Sequence, residues 1–171
     1  MSQYPVITGG QRIASTLLKG MFWHEMWKTA NLDRASTTTL ADDPDLTVSL
    51  DASATYRVEM YLHYAAIDAA KFQTAWTVPS GATGNRTAVG AGSAATDATA
   101  ATTSRFGVHG FATAITYGTR SSATNQCLAS EAATVFTSSA GTLALQWAQA
   151  SSNATATRLG AGSYMRVRRI A

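Results

Sequence analysis

The acidic and basic side chains of this 171-residue chain form two groups that lie far apart in sequence. Aspartates dominate the first group and arginines the second: Asp33, Asp42, Asp43, Asp45 and Asp51, then Arg158, Arg166, Arg168 and Arg169. Carboxylates at such density can hold a cation or move a proton, and guanidinium groups bind anions. Two interpretations are open. Both groups are solvated faces, or they meet complementary charges on neighbouring subunits of an assembly.

The run Asp42-Asp43-Pro44-Asp45 has the composition of a turn. Proline fixes φ, and aspartate side chains cap nearby backbone amides. The alternative is a calcium loop, which needs a dense set of oxygen ligands. These carboxylates are too close in sequence to act as the opposed acid and base of a glycosidase. A pairing of Glu59 with Asp68 or Glu131 through folding stays open, although no spacing supports it.

Other catalytic patterns are missing from the sequence. It has no Gly-x-Ser-x-Gly elbow, no phosphate-binding loop and no Cys/His pair at metal-ligand spacing. His24, His63 and His109 are scattered, and Cys127 is the sole cysteine, which we expect to be a small buried side chain. We therefore predict a protein that is not an enzyme, with no catalytic residues, no metal and no cofactor.

Composition restricts the class of partner. Charged residues make up 13% of the chain and the net charge is +3, without the dense basic stripe of a nucleic-acid-binding protein. No apolar run approaches the ~18 residues of a membrane span. The first residues lack the basic start and apolar stretch of a signal peptide. We expect synthesis in a cytoplasm, no nucleic-acid partner and no membrane partner.

Alternation of apolar and polar residues predicts β-strands. The clearest strand runs from Thr55 to Ala65, where Val58, Met60 and Leu62 share one face and Tyr61 lies on the other. A solvated face does not need Tyr61, so we expect that face to be partly covered. Similar alternation recurs in 46–50, 72–78, 106–117, 129–136, 142–150 and 163–170. Seven to nine short strands with intervening turns predict an all-β protein, an antiparallel β-sandwich with a jelly roll as one candidate topology.

Two segments stand apart from this pattern. Residues 80–104 are nearly all Gly, Ala, Ser and Thr, which predicts a long loop. Residues 1–27 form an N-terminal arm or helix ahead of a β-sandwich domain at 28–171. This arm ends in a dense cluster, Phe22, Trp23, Met26 and Trp27, of the residue types enriched at interfaces. The cluster either packs on the chain's own core or anchors the arm to a neighbouring subunit.

A series of short segments, in this order, resembles a β-rich structural domain of tailed phages of actinobacteria, found in minor tail proteins and virion surface proteins. The resemblance covers roughly residues 27–170 and rests on Trp27-Lys-Thr-Ala, Ser36-Thr-Thr-Thr-Leu40, Asp42-Asp-Pro-Asp-Leu46, Thr55-Tyr-Arg-Val-Glu59, Trp76-Thr-Val-Pro-Ser-Gly-Ala82, Leu143-Ala-Leu-Gln-Trp-Ala-Gln149 and Gly162-Ser-Tyr-Met-Arg-Val167. The family implies a virion component without catalytic residues.

Within that family we expect a capsid decoration protein on the outer head surface, which stabilises the shell through subunit contacts. Its partners are the major capsid protein and further copies of itself in a homotrimer. The predicted interface residues are Phe22, Trp23, Met26, Trp27, Arg166, Arg168 and Arg169. The alternative is a minor tail or tail-tip protein that binds a host receptor or glycan, with Tyr61, Trp76 or Trp147 exposed in a groove to stack on sugar rings.

Overall fold

The computed structural model describes residues 6–14, 20–92 and 104–171, and the regular structure of these ranges is entirely β-strand. The strands, in chain order, are β1 (His24–Trp27), β2 (Leu32–Arg34), β3 (Ala41–Leu50), β4 (Ala54–Ala66), β5 (Phe72–Thr77), β6 (Arg86–Ala91), β7 (Ser104–His109), β8 (Ile115–Tyr117), β9 (Ser122–Thr137), β10 (Gly141–Ala148), β11 (Thr157–Leu159) and β12 (Tyr164–Arg169). No helix in these ranges is long and apolar enough to cross a membrane.

The strands form two antiparallel sheets with jelly-roll connectivity. The smaller sheet has the order β3-β10-β5-β8, and the central part of the larger one has the order β4-β9-β6-β7. Most connections between β3 and β10 pass from one sheet to the other, which is how a jelly roll wraps around its core. The larger sheet continues past β4 with β12 and β1, and β11 and β2 attach beside them. The prediction of an antiparallel β-sandwich is confirmed.

The core lies between the inner faces of the two sheets. In the larger sheet, Val58, Met60 and Leu62 of β4 point inward, as the alternation predicts, and all are fully buried or nearly so. The two central tryptophans of the smaller sheet, Trp76 and Trp147, lie in the same core. Burial of large apolar side chains stabilises the fold by about 1.5–3 kcal/mol each. This core is continuous across both sheets.

Strand β9 is the longest strand, with 16 residues, and pairs with β4 along most of its length. Sequence alternation predicts only a weak strand at 129–136, because β9 contributes Ala129 and Ala133 to the core. Part of the loop predicted at 80–104 is also a strand, since β6 pairs with both β9 and β7. Residues 93–103 of that loop lie outside the described ranges.

Asp42–Asp45 lie within β3 and do not form a separate turn between strands. The pairing of β3 with β10 nevertheless shifts register here, and the Asp43 carboxylate accepts hydrogen bonds from the amides of Asp45 and Leu46, so the predicted capping is confirmed. The buried Lys28 ammonium also contacts two of these carboxylates. Its Nζ lies 3.0 Å from Asp43 Oδ2 and 2.7 Å from Asp45 Oδ2. Asp43 also accepts a hydrogen bond from the Trp147 indole. Two of the three carboxylates that suggested a calcium loop, those of Asp43 and Asp45, are therefore paired with a lysine of the same chain.

A second buried network joins the two sheets at Glu131 of β9. Its Oε1 accepts hydrogen bonds from the hydroxyls of Thr74 (2.5 Å) and Tyr117 (2.7 Å). Its Oε2 accepts from the Trp76 indole (2.6 Å) and from the Arg86 guanidinium. Glu131 and Arg86 are both fully buried. Each carboxylate oxygen thus has two donors, which is the condition for burying a charge without a large penalty.

Two of the early aspartates pair with two of the late arginines. The Arg158 guanidinium contacts Asp33 through two hydrogen bonds of 2.7 Å, and this contact holds the pKa of the Asp33 carboxyl below its usual range. Arg169 Nη1 lies 3.3 Å from Asp51 Oδ2. Since β2 pairs with β11, the fold itself brings distant residues together. For these two pairs, the complementary charges lie within one chain.

Replacing Glu131 by glutamine is expected to lower the free energy of unfolding by about 3–5 kcal/mol, because the Arg86 charge stays buried without its counter-ion. Urea denaturation followed by tryptophan fluorescence measures the change. The matched control is Asp33→Asn, which removes a partly exposed ion pair and should cost about 0–1 kcal/mol. Equal losses for the two variants would contradict the role assigned to Glu131.

The Tyr117 hydroxyl gives the fold a dependence on alkaline pH. Burial, and then the adjacent Glu131 carboxylate, raise the pKa of Tyr117 well above its ordinary value of 10. Only the unfolded chain can therefore release this proton near pH 10, so stability should be intact below pH 10 and fall as pH rises further. Tyr117→Phe should be less stable at neutral pH and lose less stability between about pH 10 and 11. Urea titrations at several pH values test this, and an unchanged pH slope would contradict it.

Candidate functional site

The outer face of the larger sheet carries a row of aromatic and apolar side chains. Strand pairing aligns Trp27 with Tyr164, Tyr164 with Tyr61, and Val89 with Phe106. Ser130 pairs with both Tyr61 and Val89, so the row crosses six strands from β1 to β7. With strands about 4.8 Å apart, it spans roughly 24 Å. Phe106 at one end is 75% exposed and Trp27 at the other is 62% exposed.

A cleft of about 540 Å³ opens on this face over β4, β9, β6 and β7. Tyr61 and Phe106 stand on its outermost strands, β4 and β7, and Leu128 and Val89 lie on the two strands between them. Its lining consists of Tyr61, His63, Val89, Gly90, Ala91, Ser104, Phe106, Gln126, Cys127 and Leu128. The volume falls within the range of about 300–1,000 Å³ typical of small-molecule sites.

Gly90 allows the sheet to lie close to the core beneath this cleft. A Cβ atom at Gly90 would lie 2.9 Å from the Tyr117 ring and 3.2 Å from the Leu128 carbonyl oxygen. The Tyr117 ring is therefore packed against the bare backbone of β6. Since the Tyr117 hydroxyl is bonded to Glu131, the cleft floor rests directly on the buried network.

Aromatic contacts fix the side of the cleft formed by β4. The Tyr61 ring stacks on Tyr164 with centroids 5.8 Å apart, and meets His63 edge-on at 5.4 Å. In the neighbouring row, Arg166 binds Glu59 through hydrogen bonds of 2.9 and 2.6 Å. The charges nearest this side of the cleft are thus paired with each other. No aspartate, glutamate, lysine or arginine is among the described residues that line it.

The predicted interface residues are brought together at one edge of the sandwich, because β1 pairs with β12. The Trp23 ring lies beneath two guanidinium groups, with Arg166 Cζ at 4.7 Å and Arg168 Cζ at 5.3 Å from its centroid. Such cation–π contacts help to hold the end of the arm on the sheet. Met26 is half-buried and packs against the core of its own chain.

Phe22 and Trp27 are the strongly exposed members of the predicted interface. Phe22 is 67% exposed and borders a second cleft of about 280 Å³ with Arg169, His24 and Tyr56. The last four residues of the predicted arm are a sheet strand, and residues 15–19, where helical spacing suggested a helix, lie outside the described ranges. The role of residues 1–27 as an anchoring arm stays a prediction.

Two of the three residues suggested for sugar stacking are in the wrong place. Trp76 and Trp147 are core residues whose indole nitrogens donate to buried carboxylates. Tyr61 does border a cleft, as its outward position in β4 suggests. Sequence analysis missed Phe106, Gln126 and Leu128 as cleft residues. In the sequence, these residues are distinguished only by their position on the outward side of a strand. The cleft can be located only when the pairing of four strands is known.

Within the described ranges, no group of three or more His, Cys, Asp or Glu side chains is arranged to hold a metal ion. The two buried carboxylates, Glu131 and Asp43, are surrounded by protein donors and lie in the core, and neither lines the cleft. The outer face of the larger sheet carries a cleft whose described lining has no Asp, Glu, Lys or Arg, beside exposed aromatic residues. This arrangement is suited to binding.

The structure is a jelly-roll β-sandwich with a cleft on the outer face of its larger sheet. Comparison with protein-family models finds no match, and comparison with curated proteins finds none either. A solved structure to which the chain is similar is the tripod (BppUct-A-L) from the baseplate of bacteriophage Tuc2009. That similarity is distant, with a TM-score of 0.34 and 13% sequence identity, and covers 96% of this chain and 71% of the other.

Proposed function

We propose that this chain is a non-catalytic structural protein of a tailed-phage virion, and that it serves in the tail, as a minor tail or tail-tip protein that binds a host receptor or glycan. The observation that carries the proposal is the exposed outer face of the larger sheet, with its aromatic row and its cleft. The ordered motifs that resemble virion proteins of actinobacterial phages supply the context.

The tail location is favoured by the shape of this face. Contacts between shell subunits need broad complementary surfaces of about 800 Å² on each partner. A recessed neutral cleft instead suits a ligand small enough to enter it. Jelly rolls occur both in viral capsids and in lectins, so the fold alone does not choose between the two roles.

Capsid decoration is the second candidate, and the exposed apolar residues at the β1 edge favour it. Phe22 and Trp27 are available to bury against a neighbour, and β1 is the edge strand of its sheet. At ~25 cal/mol per Å² of apolar surface, a few hundred Å² per contact would contribute several kcal/mol before ordering costs. The partners in this case are the major capsid protein and further copies of the chain in a homotrimer.

Immunogold labelling of intact virions with an antibody against this chain distinguishes the two locations. We expect gold particles at the tail, concentrated near its distal end. Labelling confined to the head would contradict the tail assignment and support decoration. Virions that carry no label, with the protein also absent by mass spectrometry of purified particles, would contradict both.

The anchor residues are tested separately by counting copies per virion. If Phe22 and Trp27 hold the chain in the particle, Phe22→Ala and Trp27→Ala should each reduce incorporation without altering the melting temperature, because both side chains are exposed. Quantitative mass spectrometry of particles complemented with each variant gives the copy number. The control is Thr142→Ala, at an exposed position in β10 of the smaller sheet. Wild-type copy numbers for both aromatic variants would rule out the anchor.

A further inference from the structure

We infer that the outer-face cleft binds a neutral saccharide, which rests between Phe106 and Tyr61 and accepts or donates hydrogen bonds at its polar margin. The inference rests on the proposed function, since it names the class of ligand that such a tail protein would hold. It assigns the site to β4, β6, β7 and β9 of one chain.

The charge of the cleft selects a neutral ligand. The described residues of its lining include no acidic, lysine or arginine side chain. The neighbouring Arg166 is engaged by Glu59 at 2.6 Å, so it does not present a free positive charge to an anion. A phosphate, a uronic acid or an acidic peptide would lose hydration here without gaining a counter-ion.

The sides of the cleft match the apolar faces of a sugar ring. Pyranose rings present patches of C–H groups, which pack against the negative face of an aromatic ring. Phe106 is the most exposed of the large apolar residues in the described ranges, and Val89 lies directly opposite it in the pairing of β6 and β7. Tyr61 stands two strands beyond Val89, held in place by its stack on Tyr164. The two aromatic side chains therefore stand about 15 Å apart, at three strand spacings.

Polar side chains are among the residues that line the cleft. Gln126 is exposed, carries both an amide donor and an amide acceptor, and lies with its amide against the backbone of Gly160. Ser104 offers a hydroxyl across the cleft from it, and His63 offers ring nitrogens beside Tyr61. A few polar groups around an apolar surface give orientation and specificity to a site of this kind.

The floor of the cleft is rigid enough to hold a small ligand. Gly90 lies against the Tyr117 ring, and Tyr117 is bound to the buried carboxylate of Glu131. A ligand therefore meets a surface supported by the core. This lowers the ordering cost of binding.

The experiment uses the full-length chain and two probes. A glycan array that carries neutral and acidic oligosaccharides identifies the sugars retained. Titration with the retained sugar, followed by amide chemical shifts in ¹⁵N-labelled protein, locates the site. We expect retention of neutral sugars over uronic and sialic acids, and shifts concentrated at Gly90, Ala91, Gln126 and Leu128.

Three variants test the assigned roles. Phe106→Ala and Gln126→Ala should each weaken binding by about three- to tenfold or more, since one removes a stacking surface and the other a hydrogen-bonding group. Both side chains are exposed, so the fold should persist. The matched control is Phe136→Ala, on the same sheet face but outside the cleft, where the ring is 48% exposed. Its affinity should equal that of the unaltered chain.

The inference is overturned if no neutral sugar is retained, if acidic sugars are preferred, or if Phe106→Ala binds as tightly as Phe136→Ala. Its failure is separable from failure of the proposed function. If the tail is labelled but the chain binds no sugar, the saccharide site is contradicted and the tail location is supported. If the chain binds sugar at this cleft but is found only on the head, the saccharide site is supported and the tail location is contradicted.

Discussion

A single buried carboxylate, that of Glu131, links the two sheets of this protein. It accepts two hydrogen bonds at each oxygen, from Thr74, Trp76 and Tyr117 of the smaller sheet and from Arg86 of its own. A buried charge is tolerated only when it is fully paired, so all five side chains must be in place together. This requirement sets how β5 and β8 lie across β6 and β9. The outer cleft depends on the same arrangement, because its floor at Gly90 rests on Tyr117.

Several charged side chains pair within the chain, and the lining of the cleft where binding is proposed contains no Asp, Glu, Lys or Arg among the described residues. Lys28 pairs with the buried Asp43 and with the exposed Asp45, and Arg158 pairs with Asp33 across β2 and β11. Asp33 and Arg158 lie far apart in sequence. Strand pairing brings them together, because it places the early and late parts of the chain side by side. These charged side chains form ion pairs that stabilise the fold. The aromatic row and the neutral cleft are what the larger sheet presents outward.

Much of the fold could be predicted from alternation, and much of the surface could not. The inward and outward faces of β4 and β12 follow from the period of two, and the sandwich class follows from the number of such strands.

Strand β9 is only weakly indicated by the sequence, because alanine at core positions gives a weak apolar signal. At Asp42–Asp45 the sequence predicts the capping by Asp43 correctly, but it does not show that β3 continues through these residues with a shifted register against β10. The cleft needs the register of four strands, and no single segment contains that information. Only Tyr61 gave a local signal, as an aromatic residue on an otherwise polar face.

The alternation of β6 and β9 gives each strand two independent sets of positions. Ala88 and Ala129 lie in the core, whereas their neighbours Val89 and Leu128 border the cleft. A substitution at a cleft position therefore leaves the adjoining core contact intact, since successive side chains point to opposite faces. Substitutions at outward positions can therefore change the ligand preference without changing the residues of the core. A family of chains built on this frame would be able to diversify what it recognises much faster than how it folds.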